Sequence, residues 1–477
     1  MVSSRLIFFL FRDCCKYKST ITNFVTFLTI IFKSYLCAKI GVKTHLQNVC
    51  RWEITNEVIE IKATANKSLA DFLLSSSPKT KSVMQIIEVG ENKALQKEFL
   101  GFPSRIYAGN PYWIRPLDND IEKIFDPATN PLFKDGKCIR WLAIDGAGKT
   151  LARVAAFVNA STATHGNDQP TGGMGFFECV DNQDVAFTVF DKCKAWLQAQ
   201  GMEAMEGPVN FGERDNWWGL LVSRFDAEPT WGMFYHHDYY QVFFENYGFK
   251  DYFQQYTFLL PTSEAEVRKI VRPALFEIAN RIYATPGYDF RHVSKKQLPK
   301  FAEDFRIIYN KAWAKNTATG EMTSERAEAI MKTMKPILEE ELMWFGYHNE
   351  QPIAFFIMIP ELNQLIKYTH GKLNLIGKIK WIYHTLMKTN KKARGVIFGV
   401  IPEYQNKGIE AAIALSFTKA CWKPNYQYQT LELNWIADFN PKMLKVTQAL
   451  GAKKYKTYIT YRYLFDRTKE FKRCPII

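Results

Sequence analysis

Apolar and polar positions alternate along the chain in a pattern that predicts a series of strands and helices. Apolar runs at 140–145 and 151–159 flank a turn with two glycines, which predicts a hairpin. A further apolar run follows at 172–180, and residues 181–198 have the spacing of an amphipathic helix. An apolar and aromatic strand at 252–260 closes this series.

The same series occurs a second time. Its predicted elements are a hairpin at 342–348 and 352–360, a strand at 394–402, a turn and helix at 403–422, a strand at 430–436, a helix at 440–450 and a strand at 456–465. Helices that connect neighbouring strands of a mixed sheet are typical of the α/β class. We therefore expect two tandem domains, 84–262 and 263–467, each a mixed twisted sheet flanked by helices, and a tail at 468–477.

The first 83 residues differ from the rest. They carry 12 Lys and Arg against 5 Asp and Glu, and an apolar run at 21–38 is interrupted by Lys33. No Met occurs between Met1 and Met84. We expect a leader that is disordered, associated with a membrane or outside the native chain.

Composition narrows the class of protein. A length of 477 residues favours two or three domains, and the net charge of +14 favours anionic partners such as a lipid surface or a phosphorylated cofactor. No basic stripe with interleaved aromatics is present, so nucleic acid is not an expected partner. The nine Cys are scattered without a CxxC pair, so we expect no metal site and a cytoplasmic location.

The segment 400–412 has the most informative pattern. A strand ends, a polar turn with the single glycine Gly408 follows, and a helix begins. Backbone N–H groups and the positive end of a helix can bind a pyrophosphate at such a turn, and Lys407 adds charge while Gln405 adds amide donors. Many turns of this kind bind nothing, so the pattern alone leaves both interpretations open.

The run from Gln405 to Gly408 after a strand, with Asn440 and Gly451 farther along, resembles the acyl-CoA loop of the GNAT acyltransferase superfamily. The segments 110–116 (NPYWIRP) and 206–211 (EGPVNF) resemble a narrower group of tandem GNAT proteins that includes the bacterial ceramide synthases. This resemblance implies acyl-CoA as co-substrate and an opening between two strands of the sheet. It implies contacts to the cofactor from Val400, Gln405, Asn406, Lys407, Gly408, Ile409, Ala411 and Asn440.

The first half has no counterpart of this loop, since an acidic turn follows its strand at 172–180. We expect it to pack against the second half and complete an acceptor pocket, or to be purely structural.

The resemblance further implies direct transfer of a fatty acyl group from CoA to an amine, such as a sphingoid base. Carboxylates at strand ends can have raised pKa values, which makes Glu432, Glu361 and Glu403 candidate catalytic bases. Tyr404 and Tyr455 are candidate acids. For each of these residues, a solvated surface position is the alternative.

The acceptor is an amphiphile in this interpretation, so we expect a location at the inner face of a membrane. The basic, aromatic insertion at 372–393 is a candidate interfacial element, or else a helix packed on the domain. Three other functions remain open: acetylation of a small soluble amine, aminoacyl transfer from tRNA as in peptidoglycan synthesis, and a non-catalytic binding protein.

Overall fold

The computed structural model describes residues 84–164, 167–313 and 321–476. The leader at 1–83 lies outside these ranges, so the expectation for it remains a prediction. Within the described ranges, no helix has both the length and the hydropathy that a membrane span requires.

In the described part of the first half there are seven strands and five helices. The strands are β1 (Gln85–Glu88), β2 (Gly136–Ile144), β3 (Thr150–Asn159), β4 (Thr171–Cys179), β5 (Ala204–Gly207), β6 (Leu220–Leu221) and β7 (Lys250–Pro261). Strands β2 and β3 form the predicted hairpin. The helices are α1 (Lys93–Ile106), α2 (Asp118–Phe125), α3 (Ala160–Ala163), α4 (Gln183–Ala199) and α5 (Tyr239–Tyr247), and Pro131–Lys134 forms a 3-10 turn.

The second half repeats this plan with additional helices. Its strands are β8 (Tyr288–His292), β9 (Met343–His348), β10 (Gln351–Pro360), β11 (Lys392–Val400), β12 (Thr430–Ala437) and β13 (Lys453–Leu464). Its helices are α6 (Glu264–Ile270), α7 (Pro273–Ala284), α8 (Leu298–Ala312), α9 (Ser324–Met334), α10 (Asn363–Ile366), α11 (Leu375–Leu386), α12 (Ile409–Cys421) and α13 (Pro441–Ala449). Short 3-10 turns lie at Glu340–Leu342 and Pro402–Tyr404. The α/β class and the repeated order of elements are confirmed.

Each half has its own hydrophobic core between helices and sheet. In the first half, Phe190 of α4 contacts Phe177 of β4 and Phe244 of α5. In the second half, Ile413 of α12 and Phe355 of β10 belong to one buried cluster. The apolar residues that predicted these elements are the ones that form the two cores.

All strands of the described residues belong to one sheet. Their order is β1-β2-β3-β4-β5-β13-β7-β12-β11-β10-β9-β8, and the short β6 pairs with β13 outside this order. The final strand of the first half, β7, pairs antiparallel with β12 of the second half. The final strand of the second half, β13, pairs antiparallel with β5 of the first half. The halves have therefore exchanged their last strands, and the division into domains 84–262 and 263–467 stays a proposal.

A buried ion pair joins the exchanged strand β13 to the first half. The guanidinium of Arg462 binds Glu206 on β5, and both residues are buried. The same guanidinium lies 3.6 Å from the ring centroid of Tyr252 on β7. This contact links three strands at the junction of the halves.

We expect Arg462→Met to lower the free energy of unfolding by about 3–5 kcal/mol, because the Glu206 carboxylate would remain buried without its partner. The matched control is Lys469→Met, which breaks a half-exposed pair with Glu203 and should cost at most about 1 kcal/mol. Urea denaturation of both variants measures the difference, and equal losses would contradict the expectation.

Candidate active site

Two parallel strands of the second half separate at one point. β11 and β12 pair from Lys392 and Thr430 to Gly395 and Leu433, and β11 then continues only along β10 while β12 continues along β7. We call this point the fork. It is an opening of the kind that the resemblance implies between two strands of the sheet.

The predicted acyl-CoA loop leads from β11 to α12. Gly408 caps α12 with φ of 90°, a conformation that side chains rarely adopt, and an added Cβ would lie 2.4 Å from Cγ2 of Ile278. Glycine has no side chain that could cap the helix. The first N–H groups of α12 are therefore available to donate hydrogen bonds to another acceptor, such as an anion.

Side chains of the loop hold its shape. Gln405 donates through Nε2 to the carbonyl of Val400 at 3.0 Å, and Glu410 accepts from the N–H of Asn406 at 3.4 Å. Lys407 is exposed at the rim of the loop. Glu410 is thus engaged by the loop itself, and Lys407 supplies positive charge beside the helix terminus.

The other predicted cofactor residues can contribute only in part. The side chains of Ile409 and Ala411 are buried in the core, so only their backbone N–H groups could meet a phosphate. Asn440 precedes α13 and caps it, because its Oδ1 accepts from the N–H of Met443 at 3.1 Å.

The first half lacks such a loop, as the sequence predicts. β4 ends at Cys179 and α4 begins only four residues later at Gln183. The Asn182 side chain accepts from the N–H groups of Asp184 and Val185, so this helix start is already capped.

A polar cluster lies at the fork. Residues alternate along a strand, so Arg394 and Glu432 point away from α12, whereas their neighbours Leu431 and Leu433 line an apolar groove beside α12. Glu432 is completely buried and accepts from Lys456 at 2.7 Å and Lys392 at 2.8 Å.

Glu361 follows β10 in the same cluster. It is 2% exposed, and its Oε1 accepts from the backbone N–H groups of Trp231 at 2.7 Å and Asn363 at 3.0 Å. The alternative of a solvated surface carboxylate is therefore wrong for Glu361, and it is equally wrong for the buried Glu432.

The two carboxylates differ in their proton affinity. Burial raises the pKa of Glu361 above its ordinary value, although Arg394 and the two backbone N–H groups oppose the rise. Burial acts in the same direction on Glu432, but Lys456 and Lys392 outweigh it and lower the pKa of Glu432. Glu361 is consequently the better proton acceptor of the pair, and Glu432 is a fixed negative charge.

Several polar atoms of the cluster are buried without a hydrogen-bond partner among the described residues. They are Oε2 of Glu361, Nε of Arg394, Nε1 of Trp435 and the hydroxyl of Tyr458. Such atoms are costly in a folded protein, and they cluster where a ligand or water supplies the missing partner. Sequence reasoning missed Arg394 and Tyr458, although a charged residue in the apolar strand β11 is a signal that could have identified Arg394.

The structure does not bring Tyr404 into this cluster. Its hydroxyl lies 2.8 Å from Nδ1 of His348, and its ring packs edge-on to Tyr288 at the opposite edge of the loop. Its predicted role as a catalytic acid remains untested.

The first half contributes to the cluster through the segment 228–233. Besides the N–H bond to Glu361, the Trp231 carbonyl accepts from Arg394, and the Pro229 carbonyl accepts from Asn363 at 2.9 Å. Trp231 and Asn363 also line a small cavity, together with Asp120 and apolar residues of the first half. The cavity lies between the halves and adjoins Glu361.

Comparison with known proteins extends the resemblance over most of the chain. The bacterial ceramide synthase of Caulobacter vibrioides is 25% identical over 387 residues, which cover 80% of this chain and 98% of that protein. The chain resembles the bacterial ceramide synthase. Protein YghO of Escherichia coli is 24% identical over 378 residues, which cover 78% of this chain and 93% of that protein.

Among solved structures, a tandem GNAT protein from the clavulanic acid biosynthesis pathway overlaps 81% of this chain and all of its own length, with 10% identity and a TM-score of 0.46. No protein-family model matches the chain.

We expect Glu432→Gln to lower the free energy of unfolding at neutral pH by about 3–5 kcal/mol, because the buried Lys456 and the partly buried Lys392 lose their counter-charge. Because the folded pKa is depressed, this stabilisation is present above the ordinary value of 4.5 and is lost as pH falls through the folded pKa. Thermal unfolding measured at decreasing pH should therefore show a larger loss of stability in the wild type than in Glu432→Gln.

The control is Glu341→Gln, which removes a partly exposed partner of Lys423 and should change stability by at most about 1 kcal/mol. Parallel pH dependence in the wild type and Glu432→Gln would show that Glu432 is not held ionised by the two lysines.

Proposed function

We propose that the chain is an acyl-CoA-dependent N-acyltransferase whose active site is the fork between β11 and β12. One observation carries this proposal: the uncapped start of α12 follows β11, and the buried carboxylate of Glu361 lies in a polar cluster with Arg394 of the same strand. The first can bind the pyrophosphate of CoA, and the second can accept a proton from an amine. The similarity to a protein named ceramide synthase supports the same reaction class.

The donor would pass through the fork. Its pyrophosphate meets the α12 N–H groups and Lys407, and its acyl and pantetheine parts follow the apolar groove that Leu433 and Leu415 line beside α12. The thioester then reaches the polar side of the sheet, where Arg394 and Tyr458 have unpartnered donors.

The amine acceptor arrives as an ammonium ion, and Oε2 of Glu361 takes one of its protons. The freed nitrogen attacks the thioester carbonyl carbon, the C–S bond breaks, and the departing thiolate takes a second proton from nitrogen. The products are an amide, the thiol of CoA and one proton on Glu361. The unpartnered groups of Arg394 and Tyr458 can stabilise the oxyanion and the thiolate while these charges develop.

The acceptor would be an amphiphilic amine of the sphingoid-base class, whose amino group meets Glu361. Ile114, Leu117 and Met233, which line the small cavity next to Glu361, would contact its alkyl chain. Asp120 offers a carboxylate for the ammonium group, although burial raises its pKa. Fatty acyl-CoA and such an amine are both amphiphiles, so the reaction would take place at a membrane surface.

We expect Gly408→Trp to abolish acceptor-dependent thiol release from palmitoyl-CoA, measured on the full chain with and without 3-oxosphinganine. The indole would occupy the turn that leads into α12, at a residue with positive φ. The matched control is Gly148→Trp, at a positive-φ glycine with open space around it in the turn between β2 and β3.

Lys407→Glu tests the same loop without altering its backbone. Reversing this exposed charge should raise the KM for palmitoyl-CoA about tenfold, whereas Lys149→Glu, also exposed, should not. An unchanged KM in Lys407→Glu would argue against pyrophosphate binding at this loop.

The wild type tests the proposed reaction as a whole. No thiol release by the wild type with palmitoyl-CoA or acetyl-CoA would favour a tRNA-dependent or non-catalytic protein.

We expect Glu361→Gln to lower kcat about 10²–10⁴-fold with little change in the KM for acyl-CoA, because the amide keeps both backbone contacts but cannot take a proton. In the wild type, kcat/KM should rise with pH through the raised pKa of Glu361, and this limb should be absent in the variant. Glu339→Gln is the matched control, since Glu339 is a partly buried carboxylate bound to Tyr428. Full activity in Glu361→Gln would show that another residue is the catalytic base.

A further inference from the structure

Only one narrow face of helix α11 packs against the rest of the protein. Gly377 is buried, Trp381 packs on a cluster that contains Ile114, and the ring of His384 stacks on Tyr368 with centroids 3.4 Å apart. These three residues lie within about 60° of one another on a helix that turns 100° per residue. The remaining surface of the helix faces solvent.

The solvent side of α11 is apolar rather than polar. Six of the nine large apolar side chains that are exposed within the described ranges lie on this helix or at its ends. They are Leu373, Leu375, Ile376, Tyr383, Leu386 and Met387. Ile376 and Leu386 are 65% and 68% exposed. From Ile382 to Met387 the outward apolar residues of the helix span an arc of about 140°.

Basic residues border this apolar arc. Lys378 and Lys380 are exposed and lie at its two edges, and Lys372 and Lys388 lie at the two ends of the helix. Between residues 362 and 402 the sequence has eight Lys and Arg and no Asp or Glu. An apolar arc between lysines is typical of a helix that lies in the interface of an anionic membrane.

We propose that α11 docks the chain on an anionic lipid surface, with Ile376, Tyr383 and Leu386 inserted among the acyl chains and the flanking lysines at the phosphate level. This inference deepens the proposed function and rests on it for the role of the surface, which is to deliver an amphiphilic amine. The strong basic bias makes an anionic bilayer a better complement than a second copy of the same basic surface, because like charges repel.

The docking helix adjoins the cavity beside Glu361. Trp381 on its inner face belongs to the same apolar cluster as Ile114 and Leu117, and both of these residues line the cavity. The docking surface and the acceptor cavity are the two sides of one packed cluster.

Co-sedimentation of the full chain with vesicles tests the proposal. The wild type should bind vesicles of phosphatidylglycerol and phosphatidylcholine more strongly than vesicles of phosphatidylcholine alone, and salt should weaken this binding. The double variants Ile376→Glu/Leu386→Glu and Lys378→Glu/Lys380→Glu should each bind the anionic vesicles at least about tenfold more weakly. Val242→Glu, at an exposed valine on α5, should bind like the wild type.

Wild-type binding by both double variants would overturn the proposal, as would equal binding of the wild type to neutral vesicles. Conversion of a dimer to a monomer by Ile376→Glu/Leu386→Glu, with vesicle binding intact, would assign the surface to a second copy. The vesicle assay contains no substrate, so its outcome does not depend on the proposed reaction. Acyl transfer to a water-soluble amine without lipid should be unchanged in both double variants, which shows that their site is intact.

Discussion

The exchange of final strands is the constraint on which the rest of the structure depends. β7 completes the sheet of the second half, and β13 completes that of the first. Backbone N–H and C=O groups in a buried strand must be paired, so neither half can satisfy its sheet without the other. The pairing also fixes the first half against the fork, which allows Trp231 to donate its N–H to Glu361.

The two halves share one plan but differ at the position of the fork. In the first half, the parallel strands β4 and β5 pair over three residues and then separate, but the carbonyl oxygen of Val209 lies 1.7 Å from where a Cβ on Gly175 would stand. The chain itself thus fills that opening, and Asn182 caps the helix beside it. In the second half, the longer loop and Gly408 leave the equivalent helix start open. The same plan is therefore closed at this position in the first half and open in the second.

Burial of the polar cluster at the fork lowers the stability of the protein, and it also gives the two carboxylates of the cluster different proton affinities. Burying a charge costs free energy, and an ion pair compensates this cost only when its geometry is good. Glu432 has such a geometry, since it pairs with both Lys392 and Lys456. This fixed triad lies beside a second carboxylate, Glu361, whose pKa burial raises. The two environments separate an ionised, positioning carboxylate from one that can exchange a proton.

The sequence by itself determined the local elements. Periodicity within each segment predicted the two hairpins and the helices α4, α12 and α13, because the spacing of apolar residues is set by the geometry of a single element. The single glycine between a strand and a helix identified the turn at Gly408 for the same local reason. The choice of Glu361 and Glu432 also came from local position, at or near strand ends.

Only the tertiary structure decided which strands pair and which charges are buried. Glu361 meets Trp231 across 130 residues of sequence, and Arg462 meets Glu206 across 256. No local pattern encodes such contacts, because they depend on the exchange of β7 and β13 between the halves. The environment created by that exchange, rather than the residue types alone, separates the proton affinities of two glutamates that look equivalent in the sequence.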